Sequence, residues 1–461
     1  MSALLRLVTR QRLLVLALTG AVVLLGLLAW RRLPIDAFPD ATNVQVMVLT
    51  NAPGLAPVDV ERQVTFPIEL AMNGLPRVRQ VRSLSRAALS QVVVVFEDDV
   101  DIYFARQLVF ERLTGVREEL PEGVEPELGP VSTGLGEIYQ YTLESKSRSP
   151  MELRTLQDWV VAPRLKAIAG VAEVNSFGGF VKQYQVEVDP DALQSYGVHL
   201  HDVSRAIADN NANAGGSYLL RGWEQTYVRS VGLLTSVEDI EGVVIRAEDG
   251  TPVLLRDLAS VRIGPETRQG AVTRDGRGET VAGMVIMLRG ENSKAVVDRV
   301  RAEVPRIQAA LPEDVRIDTY YDRTSLIAAC IDTVSSSLFQ GGVLVIAVLF
   351  LFLWNIRAAL TVAIALPVTA LVAFILMDAT GLSANLMSLG GLAIAIGMVV
   401  DGTIVVTENV VRHLGLPECR ELGPKEAAFE ATREVARPVA FAVLIIVVVF
   451  LPLLTLEGME G

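Results

Sequence analysis

Two cysteines and three histidines are the whole complement of those residue types in 461 residues. Cys330 and Cys419 are too few for a disulfide framework. His199 and His201 form one short His-x-His without other clear ligands, which does not make a metal site, so both read as surface residues. Aromatic residues make up only 6% of the chain, and Lys plus Arg are outnumbered by Asp plus Glu, 41 to 53. The resulting net charge of −12 argues against nucleic acid as a partner. The acids are scattered without a long single-sign block and read mainly as a solvated surface. No hydrolase, phosphate-loop or nucleotide-binding pattern stands out, so the expectation is no enzyme, no cofactor and no use of ATP.

What the chain has in excess is apolar residues. They form 51% of the sequence and give a mean hydropathy of +0.40. The excess lies at the N-terminus and after about residue 337, with an ordinary polar stretch between, the layout of a membrane protein with a large extramembrane domain. The expected spans are Leu13–Trp30, Leu338–Trp354, Ala358–Met377, Leu386–Val411 and Val439–Leu454. A tight polar turn at Asn355-Ile356-Arg357 joins the second and third, and Arg412–Arg437 is a polar, helical connector before the fifth. Leu13–Trp30 is longer than a signal-peptide core, and no small-residue cleavage site follows it. Pro367 inside the third span is tolerable in a bundle.

Orientation follows from the basic residues. Arg6, Arg10 and Arg12, then Arg357, then Arg412, Arg420, Lys425, Arg433 and Arg437 all fall on one side if the spans alternate. That side is the cytoplasm. Arg31 and Arg32 fall on the other, but the large domain after them translocates largely regardless of charge. Residues 31–337 are then extracytoplasmic, and the two cysteines lie on opposite sides of the bilayer, which excludes their pairing.

The extramembrane stretch repeats itself. Val44–Asn51 alternates like a strand, and Pro57–Gly74 reads as a helix with Pro57 at its start. Residues 78–97 read as a strand pair turning near Ser85–Ala88, and Asp101–Leu120 as a helix with Asp101 at the N-cap. The order β-α-β-β-α returns in the strand Ile138–Ser145, the helix Met151–Ile168, a strand pair over Val171–Val188 turning at Phe177-Gly178-Gly179, and a helix from Pro190 to Asn211. Residues 212–270 interrupt this second copy with Gly-rich turns and short strands. They fit either an arm that engages another subunit or a local β-rich elaboration. Val281–Arg289, Ser293–Leu311 and Val315–Tyr320 then read as strand, helix and strand. The domains expected are 1–32 with the first span, 33–135, 136–330 containing the insert, and 331–461 with the remaining spans and the connector 412–437.

One stretch stands out chemically: GMVVDGTIVVTEN, residues 397–409. At 100° per residue, a seven-residue step returns to within about 20° of one face, so Asp401 and Glu408 share a stripe, about 10 Å apart along the axis. An ionised carboxylate at mid-bilayer costs at least ~2.5–3.5 kcal/mol, which places the pair toward a bundle interior or a wet pathway. Desolvation disfavours the charged form, so such an acid can gain and lose a proton, as a proton-driven transporter requires. The other reading of the pair is two acids neutralised by fixed partners on neighbouring helices. Gly390, Gly391, Ala393, Ala395 and Gly397 would permit close helix packing.

LPIDAFPDATNVQV (33–46), RSLSRAALSQVVVVFED (82–98), DIYFARQ (101–107), NLMSLGGLAIAIG (385–397) and DGTIVVTEN (401–409) together resemble the heavy-metal efflux (CusA/CzcA-type) branch of the resistance-nodulation-division (RND) transporter family. The resemblance implies a membrane α-helical bundle joined to an α+β periplasmic domain of repeated ferredoxin-like porter subdomains. It implies a proton antiporter of the bacterial inner membrane that exports heavy-metal ions, a homotrimer joined to a periplasmic adaptor and an outer-membrane channel. The insert after Asn211 matches the docking region, Asp401 the proton-relay aspartate, and Glu408 a second acid typical of the metal branch. Zinc, cobalt and cadmium exporters commonly carry another acid six residues before the aspartate, where this chain has Ala395. Copper and silver exporters commonly carry methionines where it has Val399 and Val406. Met387 remains as a candidate soft-metal ligand or a packing residue.

Family members are about twice as long, with two similar halves, and this chain reads as the N-terminal portion: a fragment, a truncated product or half of a split pump. The second half would supply the relay's partner residues and much of the substrate cleft. A non-transporting membrane protein that only binds or assembles, and an RND multidrug exporter, are the competing readings. The 82–107 block argues against the latter, and an in-frame continuation encoding further spans would argue against the former.

Overall fold

The computed structural model describes residues 5–6, 8, 11–36, 39, 42–248, 250–268, 270–353, 356–417 and 423–455. Cys419, Arg10, Arg420, and Trp354 and Asn355 at the expected polar turn lie outside them. Among the described residues, five helices are long and apolar enough to cross a membrane: α1 (Arg12–Arg32), α6 (Arg323–Leu353), α7 (Ile356–Thr380), α8 (Leu386–Gly415) and α9 (Gly423–Phe450). α7 packs on α1, α6 and α8, and α8 also packs on α6 and α9. Their shared core holds Leu33, Val362, Leu389, Leu392, Ile396 and Val400. α6 starts fifteen residues before the apolar run expected from Leu338, so it projects out of the span and meets the extramembrane body directly. The connector and the fifth span are one continuous helix through Pro438 from Gly423 onward, because the polar residues 423–437 are as compatible with a helix as the apolar ones that follow.

The first extramembrane sheet contains β1 (Gln45–Asn51), β2 (Val78–Arg86), β3 (Leu89–Phe96) and β4 (Pro126–Leu128). Its order is β2-β3-β1-β4, all antiparallel. Strict alternation in β1 buries Val46 and Val48 on one face. Two helices cover that face: α2, built from Pro57–Val60, a wide π turn at Glu61–Thr65 and Phe66–Met72, and α3 (Ile102–Val116). They contribute Val60, Val64, Ile68, Val109 and Leu113 to the core. Asp101 caps α3 by accepting from Phe104 N at 2.9 Å. The π turn sits just before Pro67, which has no N–H to donate back along the helix.

The second sheet uses β5 (Glu137–Glu144), β6 (Val171–Phe177), β14 (Glu279–Met287) and β15 (Arg316–Asp322), with α4 (Pro150–Leu156, Gln157–Val161, Ala162–Lys166) and α5 (Ser293–Gln308) over it. β14 lies between β6 and β5, and β5 between β14 and β15. The strand order is therefore that of the first sheet, and α4 has a π turn before Pro163 as α2 has before Pro67.

The hairpin expected over 171–188 is not made. β6 pairs with β14, about a hundred residues away in sequence, while β7 (Lys182–Val188) leaves to pair with β12 (Ala259–Pro265). Gly178 turns the chain out of the sheet with φ +72°, and a Cβ there would meet Thr280 O at 2.4 Å. The excursion thus begins just after Phe177, earlier than the expected 212. The helix expected from Pro190 to Asn211 is two helices, Pro190–Tyr196 and Leu200–Asp209, parted at Gly197. The excursion also holds the hairpin β8 (Tyr218–Arg221) with β9 (Glu224–Tyr227), the pair β10 (Val244–Glu248) with β11 (Thr251–Leu254), and the helix Val237–Glu241. It has a core of its own around Val203, Ile240, Leu255 and Leu258. The two-residue strand β13 (Val272–Thr273) returns the chain to β14.

Before β15, Asp314 accepts from Arg148 Nε at 2.9 Å, Ser147 Oγ at 2.8 Å and Ser145 Oγ at 2.9 Å. The Arg148 hydrogen bond, then that from Ser147, holds its carboxyl well below the usual carboxylate range. A depressed folded-state value contributes stability above the unfolded value, about 3.9, and loses it as pH falls through the folded one. Asp314→Asn is therefore expected to lower the melting temperature of the extramembrane body at pH 7, with the gap to the parent closing below about pH 4. A gap independent of pH would contradict this.

Candidate functional site

α8 carries the acids, and its sequence explains its course. Asn385 caps it, its side-chain oxygen accepting from Met387 N and Ser388 N, each at 3.0 Å. Leu389, Leu392, Ile396 and Val400 then recur at near-helical spacing and turn one face into the bundle core. Asp401 and Glu408 lie on another face. Met387, Ile394, Asp401 and Glu408 follow one another at seven-residue steps, and all four are exposed. The shared stripe expected for the two acids is present, together with Met387 about 21 Å from Asp401 along the axis. No hydrogen bond or ion pair reaches the Asp401 or Glu408 side chain among the described residues.

The bundle side of α8 is different. Ala395 and Val399 line an apolar cleft of about 330 Å³ with Met398, Val443, Ile446, Val447, Phe450 and Leu451. Asp401 and Glu408 are outside it. The close helix packing expected at Gly390, Gly391 and Gly397 is not made: a Cβ at any of the three would meet nothing within 4 Å. Glycine flattens the outward face, while the apolar side chains do the packing inside. Among the described residues no three His, Cys, Asp or Glu side chains group as a metal site. The arrangement offers two protonatable acids on a flat, apolar helix face.

Sequence reasoning missed the polar lock beside the acids. Asn409 is buried, and its Nδ2 donates to Ala431 O at 2.8 Å and to Glu434 Oε2 at 3.1 Å. His413 Nε2 lies 2.8 Å from the same carboxylate, and Arg412 reaches it at 3.3 Å. These contacts pin the end of α8 to α9 and fix the rotation of the helix, hence the direction of Glu408. An Asn next to an acid in an apolar helix was the available signal.

Among the described residues, five apolar helices beside a β-rich extramembrane body, with two carboxylates exposed on one helix face, define a polytopic membrane protein. The chain belongs to the AcrB/AcrD/AcrF family, whose model matches residues 4–461, and so to the RND transporters that its motifs resemble. It is 48% identical to Protein HelA of Legionella pneumophila, over 98% of this chain and 44% of that protein. It is 47% identical to the cobalt-zinc-cadmium resistance protein CzcA of Cupriavidus metallidurans, over 98% of this chain and 44% of that one. To the cation efflux system protein CusA of Escherichia coli K12 it is 43% identical, over 93% and 42%. A crystal structure of a heavy metal efflux pump superposes with a TM-score of 0.88 at 40% identity, covering 99% of this chain and 45% of that one. The chain spans less than half the length of the curated relatives it matches.

Proposed function

We propose that this chain is the N-terminal portion of a proton-driven heavy-metal efflux transporter of the bacterial inner membrane, an antiporter with Asp401 as its proton carrier and Glu408 as a same-face helper. The observation that carries the reading is the stripe itself. Two carboxylates costly to place in a bilayer stand on a glycine-flattened helix face, in a chain whose relatives are named for cation efflux and metal resistance. The remaining half of such a pump would cover this face and supply partners for the acids. Met387, at the far end of the stripe, is the candidate soft-metal ligand.

The extramembrane body is then periplasmic, with the two sheets as porter subdomains. Its partners are further copies of the chain in a homotrimer, a periplasmic adaptor and an outer-membrane channel. Two surfaces support the trimer. The hairpin β8–β9 projects with Trp223, Leu220 and Tyr227 exposed, and the helix layer of the first sheet exposes Phe66, Leu70, Tyr103 and Phe110. Isolated exposed apolar residues are ordinary, but such groupings mark contact surfaces.

The test is transport by the completed pump in proteoliposomes across Cu⁺, Ag⁺, Zn²⁺, Co²⁺, Ni²⁺ and Cd²⁺. Uptake of at least one of these, driven by an imposed proton gradient and abolished by a protonophore, is expected. Uptake of none, or uptake that ignores the gradient, would overturn the reading. Ala395, Val399 and Val406 leave the choice of metal to that experiment.

A further inference from the structure

The acids on α8 lie far from the sheets, and movement at one end has to reach the other through some contact. The described residues contain a candidate at the membrane boundary. Arg323, the first residue of α6, is 4% exposed. Its Nε donates to Asp36 Oδ1 at 3.0 Å, its Nη2 lies 2.9 Å from the same oxygen as an ion pair, and its Nη1 donates to Leu135 O. A guanidinium is always charged and presents a rigid fork of donors, so one buried cation holds two strands of chain at once.

Each of these strands leads somewhere definite. Asp36 lies just after α1, and its backbone N–H donates to Ala384 O at 3.2 Å, while Ala384 N donates to Pro34 O at 2.9 Å. Ala384 is buried and immediately precedes Asn385, the cap of α8. On the other side, Leu135 lies in the segment between the two sheets. Gly136 O accepts from Met287 N of β14 at 2.8 Å, and β5 starts at Glu137. Arg323 itself follows β15 without a loop, and Asp322 Oδ1 accepts from Thr324 N at 2.8 Å. The run Asn385, Ala384, Asp36, Arg323, Leu135, Gly136 is therefore a path of alternating peptide and hydrogen bonds from the N-terminus of the acid-bearing helix to the central strands of the second sheet.

We infer that Arg323 is a positioning residue that, through Asp36, transmits displacement of α8 to the 131–137 segment of the extramembrane body. The inference rests on Asp401 being the proton carrier, since protonation there is what would displace α8. Buried charge suits the role: an apolar contact can slide, whereas an arginine paired on two sides has discrete hydrogen-bonded arrangements, the kind of element that carries coupling between sites.

The experiment is hydrogen–deuterium exchange on the 461-residue chain in lipid nanodiscs. Asp401→Asn imposes the neutral side chain. It is expected to change exchange in residues 131–137 by about threefold or more and to leave β1 unchanged. In an Arg323→Met background the Asp401→Asn change should vanish. Arg323→Lys, which keeps the charge and loses the fork, should reduce it. If Arg323→Met loses protection in β1, and so fails to fold, Asp36→Asn serves in its place. A merely structural arginine would shift the baseline exchange and leave the response to Asp401→Asn intact, and that result would overturn the inference. So would an unchanged 131–137 segment on Asp401→Asn. A completed pump that moves no metal with protons would sink the transport reading instead and leave the exchange result standing.

Discussion

Asp401→Asn in the completed pump is expected to reduce metal export by about 10²-fold or more, the usual scale for losing a proton-transferring group, and to return resistance to that of cells without the pump. Asn keeps the shape of the side chain, removes its charge and its titrating proton, and puts an NH2 donor in place of one acceptor oxygen. Asp401 is exposed on its helix face and packs against no described core residue, so expression and oligomer assembly should be unaffected. Glu408→Gln should have a smaller effect, because that acid lies about two turns nearer the end of the span. The measurement is survival on a metal gradient plate alongside detergent-solubilised size and yield. Retained resistance with Asn at 401 would end the relay assignment. A collapse in yield would mean that the acid holds a structural partner in the completed bundle. Asp401→Glu separates these outcomes: it should keep partial transport if a proton carrier is what matters.

Gly283→Val should be a severely damaging change in the extramembrane body. Gly283 lies in β14 directly opposite Tyr141 of β5, and the tyrosine ring lies over it. A Cβ on residue 283 would fall 2.2 Å from Tyr141 Cζ and 2.4 Å from the hydroxyl oxygen. The ring cannot retreat. Tyr141 is fully buried, its hydroxyl donates to Gln157 Oε1 at 3.0 Å, and Gln157 Nε2 donates to Ser176 Oγ at 3.3 Å. Desolvation, first among the causes, pushes the phenol up from its ordinary value, so it stays a neutral donor throughout the physiological range. Valine would displace the ring and break that buried chain. Overpacking costs about 1–3 kcal/mol and an orphaned buried polar group about as much again. A loss of about 3 kcal/mol or more is expected, seen as a fall of about 5 °C or more in the melting temperature of the extramembrane body. Gly283→Val at the parent melting temperature would show that the strand accommodates a side chain, contrary to the geometry. Gly283→Ala, which adds a single methyl group, should lose less than Gly283→Val.

Much of this was legible because it is local. Apolar runs long enough for a bilayer are read directly, and all five spans are found near their expected places. The first sheet was readable because its strands alternate in burial and its hairpin closes through two residues, between Arg86 and Leu89. The acids were readable as a pair because seven residues on a helix return to one face whatever surrounds it. The second sheet was not legible in the same way. Phe177-Gly178-Gly179 has the composition of a hairpin turn, and positive φ at both glycines is just as suitable for a chain leaving the sheet. Which strand completes β6 is settled by Val281 and Val285 of β14, both fully buried in the second core, not by anything near residue 178.

By itself the sequence determined the order of the apolar helices found among the described residues, the family, and the positions of the two acids on one stripe. The helices and the stripe follow from hydropathy and helical periodicity, which act over a few turns, and the family from the resemblance of its motifs. Only the tertiary structure decided which face of α8 is packed and which is open, because that depends on where α6, α7 and α9 lie. The same holds for the pairing of Asp36 with Arg323, residues 287 positions apart, and for the covering of Gly283 by Tyr141, residues on strands brought together by the sheet. A buried charge or a missing Cβ has no meaning until its neighbour is known, and those neighbours are remote in the chain.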